Sequence, residues 1–147
     1  DPIAFEFFNE IGIIDQLAGA LLDSVLPKGM TQAQFGVLNH FVRLDVSEKS
    51  PADLADIFQV TRPTMTSTLG RMERNKLIAI RPDPQDGRAK LVSLTDHGRK
   101  TRQNCIAALA HLLPVLHQIV PDDEIASLLP HLRAIREKMD ANRSPMV

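Results

Sequence analysis

The stretch from Leu54 to Thr95 constrains the fold of this chain more than any other. It predicts a short helix, a tight turn, a second helix with a polar outer face, and a hairpin whose tip carries an arginine. Two helices joined by a few residues form a helix-turn-helix, in which the second helix can lie in a DNA major groove. The hairpin beside the pair makes the unit winged. The stretch therefore predicts a mainly α fold with a small β-hairpin wing.

The charge of the chain is concentrated around this stretch. The 147 residues carry a net charge of -1, which would argue against nucleic acid if the charge were evenly spread. Residues 61–102, however, hold 10 basic and 4 acidic side chains, a net charge of +6. Residues 1–60 have a net charge of -6 and residues 103–147 one of -1. A basic centre between acidic flanks is typical of a surface that contacts phosphates.

The second helix of the pair has one apolar and one polar face. It begins after Thr61, a capping residue, and Met65, Leu69 and Met72 share a stripe because each residue advances the helix by about 100°. Small hydroxyl residues on the other side allow close approach to a groove, and arginine can bind guanine or phosphate. An ordinary solvated helix face has the same composition, so this helix alone fits both interpretations. The candidate major-groove residues are Thr61, Arg62, Thr64, Ser67, Thr68, Arg71 and Arg74.

The hairpin that follows favours the nucleic-acid interpretation. Residues 77–81 and 89–94 read as strands, and residues 82–88 between them are rich in turn formers. A two-stranded hairpin is marginal alone, so we expect it to pack on the helices. Arg88 at the tip, with Lys90 just behind, suits a narrow and electronegative minor groove. Asp86 would be repelled by phosphate, so we expect it to hold Arg88 or a residue of the second helix in place.

These motifs resemble those of the MarR family of winged-helix transcriptional regulators. The wing signature of that family is an Asp-x-Arg tripeptide, then a strand running into Leu-Thr and a glycine three residues later. Here it reads Asp86-Gly87-Arg88 and then Leu94-Thr95-Asp96-His97-Gly98. The upstream Leu54-Ala55, Val60-Thr61 and Thr64-Met65-Thr66 lie at the expected spacing. The resemblance covers nearly the whole chain.

Two positions depart from the family pattern. Lys76 stands where a glycine usually precedes Leu-Ile, and a left-handed helix end there would suit glycine. We expect Asn75 to adopt that strained conformation instead. Ile80 stands where the family often has an arginine, which removes one basic group from the base of the wing. Arg81 could replace it, so the candidate wing contacts are Arg81, Arg88 and Lys90.

Helical patterns flank the winged unit on both sides. Residues 3–26 show apolar spacings of three and four over about six turns, with more apolar side chains than one flank of a small core needs. We therefore expect part of this helix to meet a second subunit. Further helices are predicted to begin at Thr31, with Gln34 completing a capping box, and at Ser50. A long helix runs from Thr95 to about residue 119 with a kink at Pro114, and the last helix begins at residue 121.

The resemblance implies an organisation and a set of partners. It implies one domain, 1–147, with a winged-helix DNA-binding lobe at 31–98 and a helical dimerisation lobe formed by 1–30 and 99–147. It also implies a homodimer that binds double-stranded DNA at a pseudo-palindromic operator, acts as a repressor and is released by a small aromatic or phenolic acid. Such ligands bind between the dimer helices and the DNA-binding lobe. The candidate pocket residues here are Phe8, Ile11, Gly12, Asp15, His40 and Phe41.

Several function classes find no support in the sequence. There is no phosphate-binding glycine loop, metallohydrolase His-Glu-x-x-His or nucleophile elbow, so we expect no enzyme, and no metal or cofactor site can be read from the scattered histidines. The apolar run at residues 11–14 is too short to span a bilayer, so no membrane association is expected. The single cysteine fits a reducing cytoplasm. Two alternatives remain open: a winged-helix protein-interaction module, and a redox-sensing regulator acting through Cys105.

Overall fold

The computed structural model describes residues 1–143, which are mainly helical with one small antiparallel hairpin, as the sequence predicts. The chain divides into two compact units, Asp1–Leu109 and a second unit that begins at Ala110. The elements in chain order are α1 Ile3–Val25, α2 Gln32–Arg43, α3 Pro51–Ile57, α4 Arg62–Arg74, β1 Ile78–Pro82, β2 Lys90–Leu94, α5 Asp96–Ala110, α6 Leu113–Ile119 and α7 Asp122–Ala141.

The predicted capping residues begin the helices of the winged unit. Thr31 and Gln34 form both hydrogen bonds of the predicted capping box. Ser50 accepts a hydrogen bond from the backbone N–H of Asp53 at 3.0 Å, and Thr61 accepts one from the N–H of Thr64 at 3.2 Å. Each side chain satisfies an N–H group that has no partner inside its helix.

The ends of α2, α3 and α4 share one geometry, which uses no glycine. The residue after each cap adopts a positive φ: 50° at Asp45, 52° at Gln59 and 58° at Lys76. At the end of α4, the N–H of Lys76 donates to the carbonyl of Glu73, and the N–H of Leu77 donates to that of Met72. This is a Schellman motif, in which the left-handed residue turns the chain sharply away from the helix axis. The expectation for Asn75 was wrong: its φ is -83°, because it occupies the cap position one residue earlier.

The core of the first unit lies where α2, α3 and α4 meet the hairpin. Phe41 and Leu38 of α2, Leu54 of α3, Met72 of α4 and Val92 of β2 are completely buried. The predicted apolar stripe of α4 is confirmed, since its three members are all buried. Burial of side chains from every one of these elements fixes the helix pair and the hairpin as one body.

The first helix contributes little to this core. None of its residues is buried, and Ile3, Phe5, Ile14 and Leu17 are each more than 60% exposed. Its polar contacts to α2 pass through Gln32, whose amide donates to the carbonyl of Gly19 at 3.1 Å and to Asp23 at 2.8 Å. The predicted helix is therefore present, with its broad apolar surface open in the single chain.

The helix predicted from Thr95 to residue 119 is two helices. α5 ends at Ala110, residues 111 and 112 form a turn, and α6 begins at Leu113. The expected kink at Pro114 is a full break, because proline lacks an N–H and fits the first turn of a new helix better than a helix interior. Pro130, which the helical periodicity does not mark, lies inside α7. None of the helices in residues 1–143 combines the length and apolar character needed to cross a membrane.

Candidate nucleic-acid interface

The outer face of α4 is the first part of the candidate site. Thr64, Ser67, Arg71 and Arg74 are exposed on it, and we call these four the recognition face. Opposite them the buried apolar stripe packs on the core, so the recognition face points to solvent. Thr61 and Arg62 are also exposed at the start of the helix, whereas Thr68 is half-buried and lies at the edge of the face. Six of the seven candidate major-groove residues are therefore accessible.

The start of α4 is rigid for local reasons. The hydroxyl of Thr61 donates to the hydroxyl of Thr64 at 2.8 Å, in addition to capping the helix. The preceding turn is closed by the N–H of Val60, which donates to the carbonyl of Ala55 at 3.0 Å. The left-handed Gln59 permits the sharp change of direction between α3 and α4. The first turn of α4 is thus fixed by the Thr61 cap and by the hydrogen-bonded loop that precedes it.

The hairpin forms the second part of the site, and we call residues 78–94 the wing. Ile78 pairs with Leu94 at its base and Pro82 with Lys90 near its tip. The tip is closed by the N–H of Asp83, which donates to the carbonyl of Ala89 at 3.0 Å. The side chains of Arg88 and Lys90 are exposed. Both candidate cations therefore lie at the outer end of the wing.

Asp86 organises the tip through the backbone of Arg88. Its carboxylate accepts a hydrogen bond from the N–H of Arg88 at 3.0 Å, and its carbonyl accepts one from the N–H of Ala89 at 3.0 Å. An aspartate that binds the N–H two residues later stabilises a turn. Asp86 thus binds the backbone of Arg88 and not its guanidinium. It sets the position of Arg88 by stabilising the turn.

Arg81 forms an ion pair with another residue of the chain, at the protein surface. Its Nε and Nη2 donate to Oε1 of Glu48 at 2.9 and 2.7 Å, and Nη2 also donates to Oε2 at 2.8 Å. Arg81 was expected to be a wing contact, and no role was expected for Glu48. The two residues are 33 positions apart, so no local pattern signals the pair.

A groove lies between the wing and the side of α4 that faces it, next to the recognition face. It has a volume of about 590 Å³ and lies between α4, the start of α3 and the wing. Arg62 comes from the helix, and Arg88 and Lys90 come from the wing, so cations from both elements face one space. Glu73 and Asp86 also reach its wall. The remaining lining residues are Ser50, Pro51, Ala52, Thr66, Leu69, Gly70, Ile80 and Ala89.

The predicted ligand-pocket residues are in different environments. Phe8 is 47% exposed, Asp15 is exposed, and a Cβ atom at Gly12 would meet nothing within 4 Å. Ile11 is half-buried. Phe41 is completely buried in the core. Its ring is covered by the core in the single chain, and its place in a ligand pocket stays a prediction.

His40 has an unusual environment for a polar side chain. It is 9% exposed and packs edge-on against the rings of Phe41 and Phe58, with centroid distances of 6.1 and 5.8 Å. Its Nε2 has no hydrogen-bond partner among the described residues. Burial lowers the pKa of this imidazole below 6.5, and the charges of Lys49 and Arg43 lower it further. The folded protein therefore favours the neutral form of His40.

Cys105 lies in an environment that disfavours redox chemistry. Cys105 is completely buried, and burial raises the pKa of its thiol. A thiol that is inaccessible and protonated reacts slowly with oxidants, which argues against the redox alternative. Within residues 1–143, no three His, Cys, Asp or Glu side chains are placed to hold a metal ion.

Comparison with known proteins agrees with this geometry. Residues 28–89 match a family model described as MarR family. Over 77 residues, the chain is 39% identical to the transcriptional activatory protein BadR of Rhodopseudomonas palustris, a match that covers 52% of this chain and 44% of BadR. The aligned segment thus spans less than half of that relative.

Solved structures extend the similarity beyond the aligned segment. A mutant of E. coli MarR in complex with operator DNA is 26% identical, with a TM-score of 0.74 over 88% of this chain and 93% of that one. Wild-type E. coli MarR is 27% identical, with a TM-score of 0.75 over 86% and 93% of the two chains. BpsR of Bordetella bronchiseptica, at 23% identity and a TM-score of 0.75 over 89% and 98%, is similar in fold.

Proposed function

Because the chain belongs to the MarR family of winged-helix transcriptional regulators, we propose that it binds duplex DNA as a homodimer and represses transcription from a pseudo-palindromic operator. The observation that carries this proposal is the groove in which Arg62 of the recognition helix and Arg88 and Lys90 of the wing face one space. A DNA strand that separates a major from a minor groove presents its phosphates to two such elements at once.

Each element has a distinct task in this proposal. The recognition face lies in the major groove, where Ser67 and Arg71 meet base edges and Arg74 meets the backbone. Thr61, Arg62 and Thr64 bind phosphates beside the start of α4, where the helix dipole favours anions. Thr68 supports the edge of this face.

The wing contributes the second contact. Arg88 enters the minor groove and Lys90 binds a phosphate beside it. Asp86, which would be repelled by phosphate, keeps the tip folded through the N–H of Arg88. The acidic Glu73 in the groove wall limits how closely a phosphate can approach there.

The exposed apolar side chains support a homodimer. On α1, Ile3, Phe5 and Leu17 are 84%, 61% and 63% exposed. On α7, Leu128 and Met139 are 49% and 57% exposed. Large apolar side chains exposed along a helix mark a protein interface. A two-fold dimer would place two recognition helices about one DNA turn apart, which is the basis for the pseudo-palindrome.

An effector is part of the proposal as well. We propose a small aromatic or phenolic acid that contacts Phe8, Ile11, Gly12, Asp15 and His40 and releases the DNA. The unpartnered Nε2 of His40 supports this, because a buried polar atom without a partner is suited to receive a ligand group. The regulation of BpsR by 6-hydroxynicotinic acid is a related case. We propose no catalytic activity, and we place the action of the regulator in the cytoplasm.

A gel shift with random-sequence duplexes, followed by selection of the bound sequences, tests the DNA-binding proposal. We expect retardation at low salt and enrichment of an inverted repeat. The matched control replaces Ser67, Arg71 and Arg74 by alanine, which removes recognition-face contacts without touching the core. Absence of retardation at low salt, where non-specific binding is strongest, would instead support a winged-helix protein-interaction module.

Activation is the second candidate for the sign of regulation. The observation that favours it is the name of BadR, an activatory protein that is 39% identical over the aligned segment. A reporter gene placed behind the selected operator distinguishes the two. Repression predicts higher expression when the regulator is deleted, and activation predicts lower expression.

A further inference from the structure

A two-residue segment between α2 and α3 attaches to both strands of the wing. The backbone of Lys49 forms an isolated bridge with Val92 of β2: its N–H donates to the carbonyl of Val92 at 3.0 Å, and the N–H of Val92 donates back at 2.8 Å. The neighbouring residue, Glu48, binds Arg81 of β1 through its carboxylate. Consecutive residues thus hold the two strands, one by backbone and one by side chain.

The two attachments lie side by side in the hairpin. Val92 pairs with Ile80, and Arg81 pairs with Leu91, so the anchored positions are adjacent rungs of the ladder. Only the Pro82–Lys90 rung lies between them and the tip. The tip with Arg88 therefore projects from this anchor. A small rotation of the strands at the anchor moves the end of the wing by a larger distance.

The guanidinium of Arg81 has little capacity for a further anion. Its Nε and Nη2 are bound by the two carboxylate oxygens of Glu48, and Nη1 donates to the carbonyl of Pro82 at 3.4 Å. Two parallel N–H bonds to a carboxylate are the strongest geometry available to arginine. The pair also has no net charge, so it releases no counterions from DNA.

From this geometry we propose that the Glu48–Arg81 ion pair is a clamp that sets the position of the wing, and that Arg81 is a positioning residue rather than a DNA contact. The inference rests on the proposed DNA-binding function. The side chains of Arg81 and Glu48 are 48% and 33% exposed, so solvent weakens the attraction and the clamp can open. Opening would free one cation beside the groove and loosen the tip.

Four proteins test the clamp: the parent, Arg81→Gln, Glu48→Gln, and the exchanged pair that combines Glu48→Arg with Arg81→Glu. The first readout is hydrogen exchange at the N–H groups of Asp83 and Ala89, which close the tip and can be measured without DNA. We expect exchange to be roughly two- to fivefold faster in both single variants, the range for a half-exposed pair. The exchanged pair should return to the parental rate.

The second readout is the salt dependence of DNA affinity. Arg81→Gln should weaken binding roughly two- to fivefold. The slope of log affinity against log salt concentration should stay unchanged, because the lost residue contacts no phosphate. Glu48→Gln should steepen the slope by up to about one, because the released guanidinium becomes available. The exchanged pair should restore the parental slope.

Two results would overturn the clamp. One is an Arg81→Gln variant whose slope flattens by about one while its tip exchanges at the parental rate, since that is the behaviour of a phosphate contact. The other is a double variant, Glu48→Arg with Arg81→Glu, whose tip N–H groups exchange hydrogen as fast as those of the single variants. A parent chain that binds no DNA at low salt would refute the proposed function, and hydrogen exchange alone would then decide whether the clamp exists.

Discussion

A Cβ atom at residue 98 would lie 2.0 Å from the carbonyl oxygen of Leu77. Gly98 lies in the first turn of α5, and Leu77 directly precedes β1, so this contact joins the start of α5 to the base of the wing. Thr95 reinforces it: its N–H donates to the carbonyl of Leu77 at 3.2 Å, and its hydroxyl accepts from the N–H of Gly98 at 2.9 Å. Only a residue without a side chain permits this approach.

The first prediction is that Gly98→Ala destabilises the protein strongly. The new methyl group must displace backbone rather than a flexible side chain, so we expect a loss of about 3 kcal/mol or more in the free energy of unfolding. Denaturant unfolding measures it. Gly70→Ala is the matched control, because its Cβ would meet only Arg74 at 3.9 Å and should gain up to about 1 kcal/mol of helix stability. Equal stabilities of the two variants would contradict the close contact.

The second prediction concerns the strained end of α4. Lys76→Gly should raise the free energy of unfolding by about 0.5–1 kcal/mol, because glycine adopts a φ of 58° without steric cost, and this gain exceeds the extra entropy that glycine loses on folding. Lys76→Ala is the control: it removes the same charged side chain but keeps the strain, so its stability should stay within about 0.5 kcal/mol of the parent. A glycine variant no more stable than the alanine variant would show that no strain is stored there.

The third prediction addresses the wing tip. Arg88→Ala should weaken binding to every DNA sequence and reduce the slope of log affinity against log salt by about one, because one cation no longer displaces counterions. Titrations at several salt concentrations measure this slope. Gln85→Ala alters the same exposed tip without changing its charge and should keep the parental slope. A parental slope in Arg88→Ala would remove this residue from the interface.

The fourth prediction concerns pH and His40. Burial lowers the pKa of this residue in the folded state, so between that pKa and 6.5 the unfolded chain binds more protons than the folded one. The free energy of unfolding must then rise with pH. The stabilisation that comes from neutral His40 is complete above pH 6.5 and is lost as the pH falls below it. Unfolding experiments across this range should show a shallower pH dependence for His40→Gln. An identical dependence would mean that His40 is not the group responsible.

The fifth prediction tests the dimer. Ile14, 61% exposed on α1, should be buried in the assembly, so Ile14→Glu should raise the dimer dissociation constant by about a hundredfold through an unpaired buried charge. Sedimentation at graded concentrations measures the change. Leu44→Glu, at a side chain 48% exposed beside α2, adds the same charge outside α1 and should leave the association unchanged. Dimers of parental strength in Ile14→Glu would exclude this face from the interface.

The sequence predicted features that depend on neighbours along the chain. Thr31, Ser50 and Thr61 cap their helices because each hydrogen bond closes over three residues, a distance that spacing reveals. The apolar stripe of α4 was predictable for the same reason, since helical periodicity alone sets which side chains share a face.

Features that depend on the folded chain were not predictable in this way. Glu48 and Arg81 meet only because the chain returns past the wing, and nothing in either local segment marks the pair. The left-handed conformation falls on Lys76 rather than Asn75 because the hydrogen bonds of the helix end fix the position, whatever the residue prefers. Similarly, the pattern around Pro114 indicates a disturbance of the helix but not whether it bends or stops.

The bridge at Lys49 leaves the wing with one protected side and one open side. β2 lies between Lys49 and β1, whereas the only strand partner of β1 in residues 1–143 is β2. An open strand edge can recruit a strand from another molecule and seed aggregation. Pro82 offers no N–H on that edge, and Arg81 places a charged side chain next to it, both of which discourage such pairing. Variants that loosen this strand would therefore threaten the solubility of the protein at high concentration.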